Sequence, residues 1–533
     1  MAFASARFWL FAALTLLVYY LVPKRVQWWV LLAASYLFYA FAGVEYLLFL
    51  LFTTLISYTV ARIMQRRIDA EDAFVEAQRE QMDKASRKIY RAKEKKSRFR
   101  ILLLGLFLTL GVLAMLKYTG FVMSGVSSIL ISFGRKPLSI PSLLLPLGIS
   151  FYTFQSVGYL IDVYRKKVKA EKNLAKYALF VSYFPQMIQG PISRFSDLGE
   201  QLVTPHFFNG TNFGTGLLRV VWGYFKKVVV ADTAMIAVRT LLTRDASGSF
   251  VYNGAYVFLL ILLYSVQIYG DFTGGIDITL GISRMLGIRV AENFDRPFSS
   301  RSTKEYWRRW HITMGTWFTD YVFYPLSVTP FMQRLSKWSR THLGEAIGKR
   351  IPVYAATVVT WFLTGLWHGA GMNFIVWGLL NCLVILVSQE LQPLYTRFHR
   401  TFPKLEGRRI WHCFQCTRTF LLMGLIRSLD CYRDVSETFS LWWSMITRWN
   451  LFALLTGGLL DLGLGAGEWL VILGGVFLIF GVTQCQKKLS LRNLVTDRPV
   501  LLTVCICVLL VLILLFGAYG IGFDASDFIY GQF

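Results

Sequence analysis

The chain contains six histidines, His206, His311, His342, His368, His399 and His412, and two of them stand where an imidazole has chemical use. His368 lies in FLTGLWHGAGMNFIVWG, with no charged residue for many positions on either side. An ionisable group inside an apolar segment is costly and marks function by default. An imidazole titrates near pH 6.5, so it can accept a proton at neutral pH from a hydroxyl attacking an acyl group. The competing reading is a neutral structural ring, which costs less to bury than a charge. His311 lies in EYWRRWHITMGTWFTDYVFYPL, close to Arg308, Arg309 and Asp320 on what reads as an amphipathic helix. Asp320 follows nine positions later, too far to pair within one helical turn. The alternative there is an interfacial helix anchored by Trp and Arg. No Walker-type phosphate loop and no G-x-S-x-G elbow is present. HCFQC (412–416) has the spacing of a metal pair, but no second pair lies nearby to complete four ligands, so no metal site is expected. The seven cysteines lie mostly in apolar surroundings and read as small hydrophobes.

The elements that must position these residues are membrane helices. Of the 533 residues 55% are hydrophobic and only 16% charged, against about 25% charged in a soluble domain. Many apolar runs reach the ~17–25 residues that cross a bilayer. A spanning segment must satisfy its own backbone hydrogen bonds, which favours helices over strands. The expected fold class is an all-α polytopic membrane protein, a single integral-membrane domain over residues 1–533. The first apolar segment, 8–22, ends in YYLVPKR without a small-residue cleavage site and reads as a retained anchor. The net charge of +25 comes from basic residues flanking apolar segments. That pattern fits the positive-inside bias and attraction to anionic lipid, not a nucleic-acid partner.

Apolar segments fall near 8–22, 26–42, 46–61, 101–117, 143–164, 177–192, 213–235, 252–270, 271–290, 352–367, 370–389, 414–427, 451–482 and 500–517, about eleven or twelve crossings in all. Residues 62–100 carry thirteen Lys/Arg against seven Asp/Glu and read as a basic cytoplasmic helical excursion. Counting back three crossings puts the N-terminus outside. YFPQMIQGPISRF (183–195) contains Pro185, Gly190 and Pro191, which would leave backbone groups unpaired in lipid, so this stretch is expected to be buried in protein or to line a wet cavity. The loop before the last segment holds Lys487, Lys488, Arg492 and Arg498 against Asp497. It reads as cytoplasmic, which sends the tail SDFIYGQF (526–533) to the outer face.

Five blocks, in order, resemble the membrane-bound O-acyltransferase (MBOAT) family, in its bacterial alginate O-acetylation and teichoic-acid D-alanylation branch. They are LPLGISFYTFQSVGYLIDVYR (145–165), GPISR (190–194), YGDFTGGIDITLGISRMLG (269–287), NFDRPFSSRSTKEYWRRWHITMGTWFTDYVFYPL (293–326) and LTGLWHGAGMNFIVWGLL (363–380). The resemblance implies a helical funnel with re-entrant helices, in a bacterial cytoplasmic membrane, with both termini extracytoplasmic. It places His368 at the family's invariant histidine and His311 at its second position; Arg308, Arg309, Asp320 and Asp271, read from the same blocks, are candidate supporting residues. It implies no permanently bound cofactor. The donor would be a cytoplasmic thioester, acetyl-CoA or an acyl carrier protein. The acceptor chain would run through an extracytoplasmic serine enzyme of the SGNH type to a surface polysaccharide.

The tail resembles the Phe-Ile-Tyr ending of the small peptide used in D-alanylation systems. On that resemblance Tyr530 is the acyl relay, seated by Phe528, Ile529 and Phe533; the bland reading is an aromatic interfacial plug. D-alanyl transfer to teichoic acid and polysaccharide transport are the competing functions. Where many relatives read something like GWVFFRA, this chain reads GLIRSLDCYRD (424–434), which puts local helix ends and partner contacts in question.

Overall fold

The computed structural model describes residues 5–141, 143, 145–187, 189–488 and 496–519. The residues expected to form the relay tail, Phe528, Ile529, Tyr530 and Phe533, lie outside the described residues. The regular elements of the described residues are all helices, with two isolated β-bridges and no strand. They form two compact units, one of residues 3–210 with 283–290, the other of 211–282 with 291–533.

In the first unit the helices are α1 (Ala6–Leu21), α2 (Gln27–Ala40), α3 (Leu47–Ala77), α4 (Lys84–Ser132), α5 (Ile149–Tyr164), α6 (Leu174–Ser182) and α7 (Phe195–Val203). The basic stretch 62–100 is helical, as expected. It is the C-terminal half of α3 and the first turns of α4, joined by a turn at 78–83. Asp83 caps α4 by accepting from the Ser86 backbone amide at 3.0 Å. At 49 residues, α4 is roughly 70 Å long, more than twice the ~30 Å hydrocarbon core, so its basic start projects beyond the lipid. Glu71 and Arg98 fasten the hairpin as a buried ion pair. Lys166 Nζ adds contacts to Glu71 at 3.6 Å and to Asp72 at 2.9 Å. In YFPQMIQGPISRF helix α6 stops at Ser182 and a single 3₁₀ turn follows, Phe184–Gln186. Its exposed backbone donor is met inside the unit, where Ser35 Oγ accepts from the Phe184 amide at 3.1 Å. Gln155 Nε2 donates to Gln186 Oε1 at 3.1 Å. Irregular backbone therefore sits in protein, as lipid requires.

The second unit begins with α8 (Gly210–Tyr224), a π-helical turn (Phe225–Ala231) and α9 (Asp232–Leu241). The two apolar segments expected at 252–270 and 271–290 are one 31-residue helix, α10 (Ala255–Met285). Then come α11 (Thr303–Arg309), α12 (Ile312–Phe318), the single turn α13 (Tyr324–Ser327), α14 (Pro330–Gly348), α15 (Ile351–His368) and α16 (Met372–Glu390). The chain continues through α17 (Gln392–Thr401), the turn α18 (Pro403–Glu406), α19 (Arg409–Tyr432), α20 (Val435–Thr447), the turn α21 (Leu451–Ala453), α22 (Ala466–Lys488) and α23 (Pro499–Phe516).

Six described helices are long and apolar enough to cross a membrane: those beginning at Val44, Lys84, Ala255, Met372, Ala466 and Pro499. Length and composition alone set that number among the described residues, and the further apolar runs fall below it for different reasons. Some merge, as in α10. Others are cut short, as in α5 and α6. A few are diluted by polar residues, as in α15 with Pro352, three threonines and His368.

Replacing Arg98 with Met leaves the Glu71 carboxylate buried beside one partly exposed lysine. The expected cost is about 3 kcal/mol of stability, with most of it recovered in the double variant Glu71→Leu/Arg98→Met. Thermal unfolding of the purified protein in detergent measures both.

Candidate active site around two histidines

His368 is the last residue of α15, and a three-residue turn, 369–371, leads into α16. Two glycines set the spacing of this hairpin. A Cβ on Gly365 would lie 2.4 Å from the Phe374 carbonyl oxygen, and one on Gly378 would lie 2.4 Å from that of Trp361. Only a missing side chain lets the two backbones approach so closely. The close pair brings Trp377 of α16 against His368, ring centroids 4.5 Å apart and edge-on. The Trp367 ring also meets it edge-on, at 4.9 Å.

His311 does not lie on a continuous amphipathic helix. Helix α11 ends at Arg309, Trp310 is extended, and His311 takes a left-handed conformation (φ 48°) as the residue before α12. A positive φ is uncommon away from glycine, and histidine is among the residues enriched there. The break is held by a short antiparallel bridge between Phe294 and Trp310. Flanking it, the Asp295 amide donates to Arg309 O at 2.9 Å and the Ile312 amide to Asn293 O at 3.0 Å. His311 is fully buried. The Asn293 carboxamide oxygen accepts from the Thr313 amide at 3.0 Å and from Thr313 Oγ1 at 2.9 Å, and lies 3.2 Å from His311 Nδ1. The Thr313 amide can only donate, so oxygen must face it. Nδ1 therefore carries the proton and Nε2 is the basic nitrogen of the ring. Burial pushes this imidazole well below its ordinary value, and the Arg427 cation acts in the same direction. Phe272 of α10 packs edge-on against the ring at 4.9 Å.

The two histidines share one neighbour. Trp367 contacts the His311 ring at 5.7 Å and the His368 ring at 4.9 Å, so both line one aromatic wall. The supporting residues divide. Arg309 pairs with Glu305 at 2.7 Å and Arg308 is exposed. Asp320 lies in a π-helical turn, Thr319–Phe323, that prolongs α12. Asp271, fully buried, binds Lys227 at 2.7 Å.

That last pair belongs to a line of charges, buried at Lys226, Lys227, Asp232 and Asp271 and exposed at its Glu292 end, that reading the sequence did not reveal. Lys227 also meets Asp232 at 2.6 Å. Lys226 meets Asp277 at 2.6 Å and Thr273 Oγ1 at 2.8 Å. Asp277 also accepts from Arg219 at 2.8 Å, and Arg219 forks onto Glu292 at 2.6 Å. The line runs between α8, the π-helical turn and α10, and it ends beside Asn293. Its signal is in plain view: two lysines in the apolar run FKKVVVADTAM, and the spacing of Asp271 and Asp277 in GDFTGGID. The π turn, with its extra residue, directs two consecutive lysines at one helix.

Helices that span, an enclosed imidazole with a defined basic nitrogen, and a second imidazole across one indole define an integral membrane protein equipped for acid–base chemistry. Residues 165–431 match the family model of MBOAT, the membrane-bound O-acyltransferase family. The chain is 36% identical to the probable alginate O-acetylase AlgI of Azotobacter vinelandii over 394 residues, 74% of this chain and 69% of that one. It is 29% identical to the peptidoglycan O-acetyltransferase of Helicobacter pylori over 409 residues, 72% of this chain and 68% of that one. Identity to the teichoic acid D-alanyltransferase of Streptococcus thermophilus is 28% over 250 residues, 46% of this chain and 57% of that one. The chain belongs to the membrane-bound O-acyltransferase family.

Asn293→Ala removes the acceptor that fixes Thr313 and the His311 ring. Acyl transfer is expected to fall on the order of a hundredfold from ring misplacement, with the protein still inserted in the membrane. Ester-linked acyl groups per inserted protein, measured by mild base release, give the value.

Proposed function

We propose that this protein takes an acetyl group from a cytoplasmic thioester, acetyl-CoA or an acyl carrier, and passes it across the membrane for O-acetylation of a cell-surface polysaccharide. The observation that carries the reading is the convergence of His311 and His368 on Trp367, since both lie in the blocks that identify the family. Acetyl is favoured over D-alanyl by the reach of the matches: 74% of the chain for the alginate O-acetylase and 46% for the D-alanyltransferase.

In this reading the first acceptor is the phenol of Tyr530. Its oxygen attacks the thioester carbonyl while His368 takes the phenolic proton. The tetrahedral intermediate collapses with cleavage of the C–S bond, and the imidazolium returns the proton to the departing thiolate. A phenol has a pKa near 10, so the aryl ester keeps much of the transfer potential of the thioester. An extracytoplasmic serine acyltransferase then takes the acetyl group and delivers it to the polymer. His311, held at Nδ1 by Asn293, offers its basic Nε2 within the same wall. Phe528, Ile529 and Phe533 seat the tail.

His368→Ala is expected to lower polymer acetylation by about 10²-fold or more, the contribution of a positioned base. Tyr530→Phe keeps membrane insertion and abolishes the product. Intact-mass measurement of the C-terminal peptide after turnover then shows acetyl on Tyr530 of the parent protein only. An alanyl increment would replace the acetyl reading. Full acetylation by Tyr530→Phe would remove the relay and leave the role of His368 standing.

A further inference from the structure

Arg427, in α19, is only 5% exposed. Among the described residues it forms no ion pair with a carboxylate. Its Nη2 donates to the Tyr306 hydroxyl at 2.8 Å, and its guanidinium lies 4.0 Å from the centre of the Trp310 ring. Tyr306 and Trp310 stack on each other, centroids 5.6 Å apart and 12° from parallel. One planar cation thus ties the middle of α11 to the residue where α11 breaks. Trp310 precedes His311 and carries the bridge to Phe294, so its placement fixes the backbone from which the His311 ring projects.

A buried cation with no carboxylate in direct contact is expensive; Asp430, three positions on in α19, acts on it from beyond ion-pair distance, and stacking on an indole compensates part of the remaining cost. A lysine, a point charge without a plane, cannot do the same. Its fixed positive charge also acts on the imidazole and disfavours a second proton on the ring.

We propose that Arg427 is a positioning residue for acyl transfer, holding the ring of His311 through Trp310 and Tyr306. The inference rests on His311 being part of the acyl-transfer site. It also accounts for the divergent segment GLIRSLDCYRD, which meets the neighbour of one histidine through Arg427. The same segment reaches the hairpin of the other, where Asn373 Nδ2 donates to Leu429 O at 3.2 Å.

A double-mutant cycle in cells expressing the full chain tests this, reading base-released acyl ester per membrane-inserted protein. Arg427→Met is expected to lose about tenfold in the parent background and less than about twofold in a His311→Asn background, because coupled residues are not additive. Arg427→Lys is expected to resemble Arg427→Met. Equal losses in both backgrounds, or no loss in the parent, would overturn the proposal. If instead His311→Ala and His311→Asn are both silent, the placement of His311 in the site fails, and the Arg427 proposal fails with it. Should Arg427→Met not accumulate, Tyr306→Phe removes only the phenol oxygen and Arg427→Gln keeps a planar group on the indole; both are read in the same cycle with the same criteria.

Discussion

The carboxamide oxygen of Asn293 accepts two hydrogen bonds from Thr313 and faces Nδ1 of His311. Because the Thr313 amide can only donate, the orientation of the carboxamide is decided, and with it the tautomer of the histidine. In water such an arrangement would compete with solvent and mean little. Within a fully buried site it is the available way to satisfy those groups, since an unmet polar atom there is costly. The break between α11 and α12 at a left-handed histidine persists because the bridge to Phe294, the Asn293 contacts and the packing of Phe272 all hold it.

The charge line between α8, the π-helical turn and α10 answers the same demand on a larger scale. Four carboxylates and three cations lie along it, and each is met by a partner of opposite sign. Burying charges singly would be prohibitive; alternating them lets neighbouring helices be fastened in one register. Its end at Glu292 adjoins Asn293, so the anchoring of α10 and the anchoring of His311 meet in consecutive residues. Close approach of the helices is what makes this feasible. A Cβ on Gly274 would lie 2.7 Å from the Gly223 carbonyl oxygen.

The helical class, the family and the two histidines were legible in the sequence. Long apolar runs admit few alternatives in lipid, and an imidazole in FLTGLWHGAGMNFIVWG stands out against its uncharged surroundings. The helix inventory was less legible. Hydropathy cannot distinguish two short segments from one helix such as α10, nor recognise that α5 starts at Ile149 and not at 143. Residues 305–326 read as one amphipathic helix because Trp, Arg and Asp320 recur among apolar residues. Their interruption depends on Phe294 and Asn293, which are partners at a distance in sequence. Arg427 was invisible for the same reason, since its planar stacking on Trp310 joins residues 117 positions apart.

The sequence by itself determined that the chain is helical in a membrane, because long continuous apolar runs, unlike the short alternating segments of a barrel, satisfy their own backbone groups as helices. It also marked His311 and His368, because ionisable groups in apolar blocks stand out without any coordinates. Only the tertiary structure decided that they share Trp367, that His311 presents Nε2 as its basic nitrogen, and that Arg427 stacks on Trp310 beside it in the chain. Those outcomes depend on hydrogen bonds and ring contacts between distant segments. Such contacts have specific directions and distances, and linear order does not encode them.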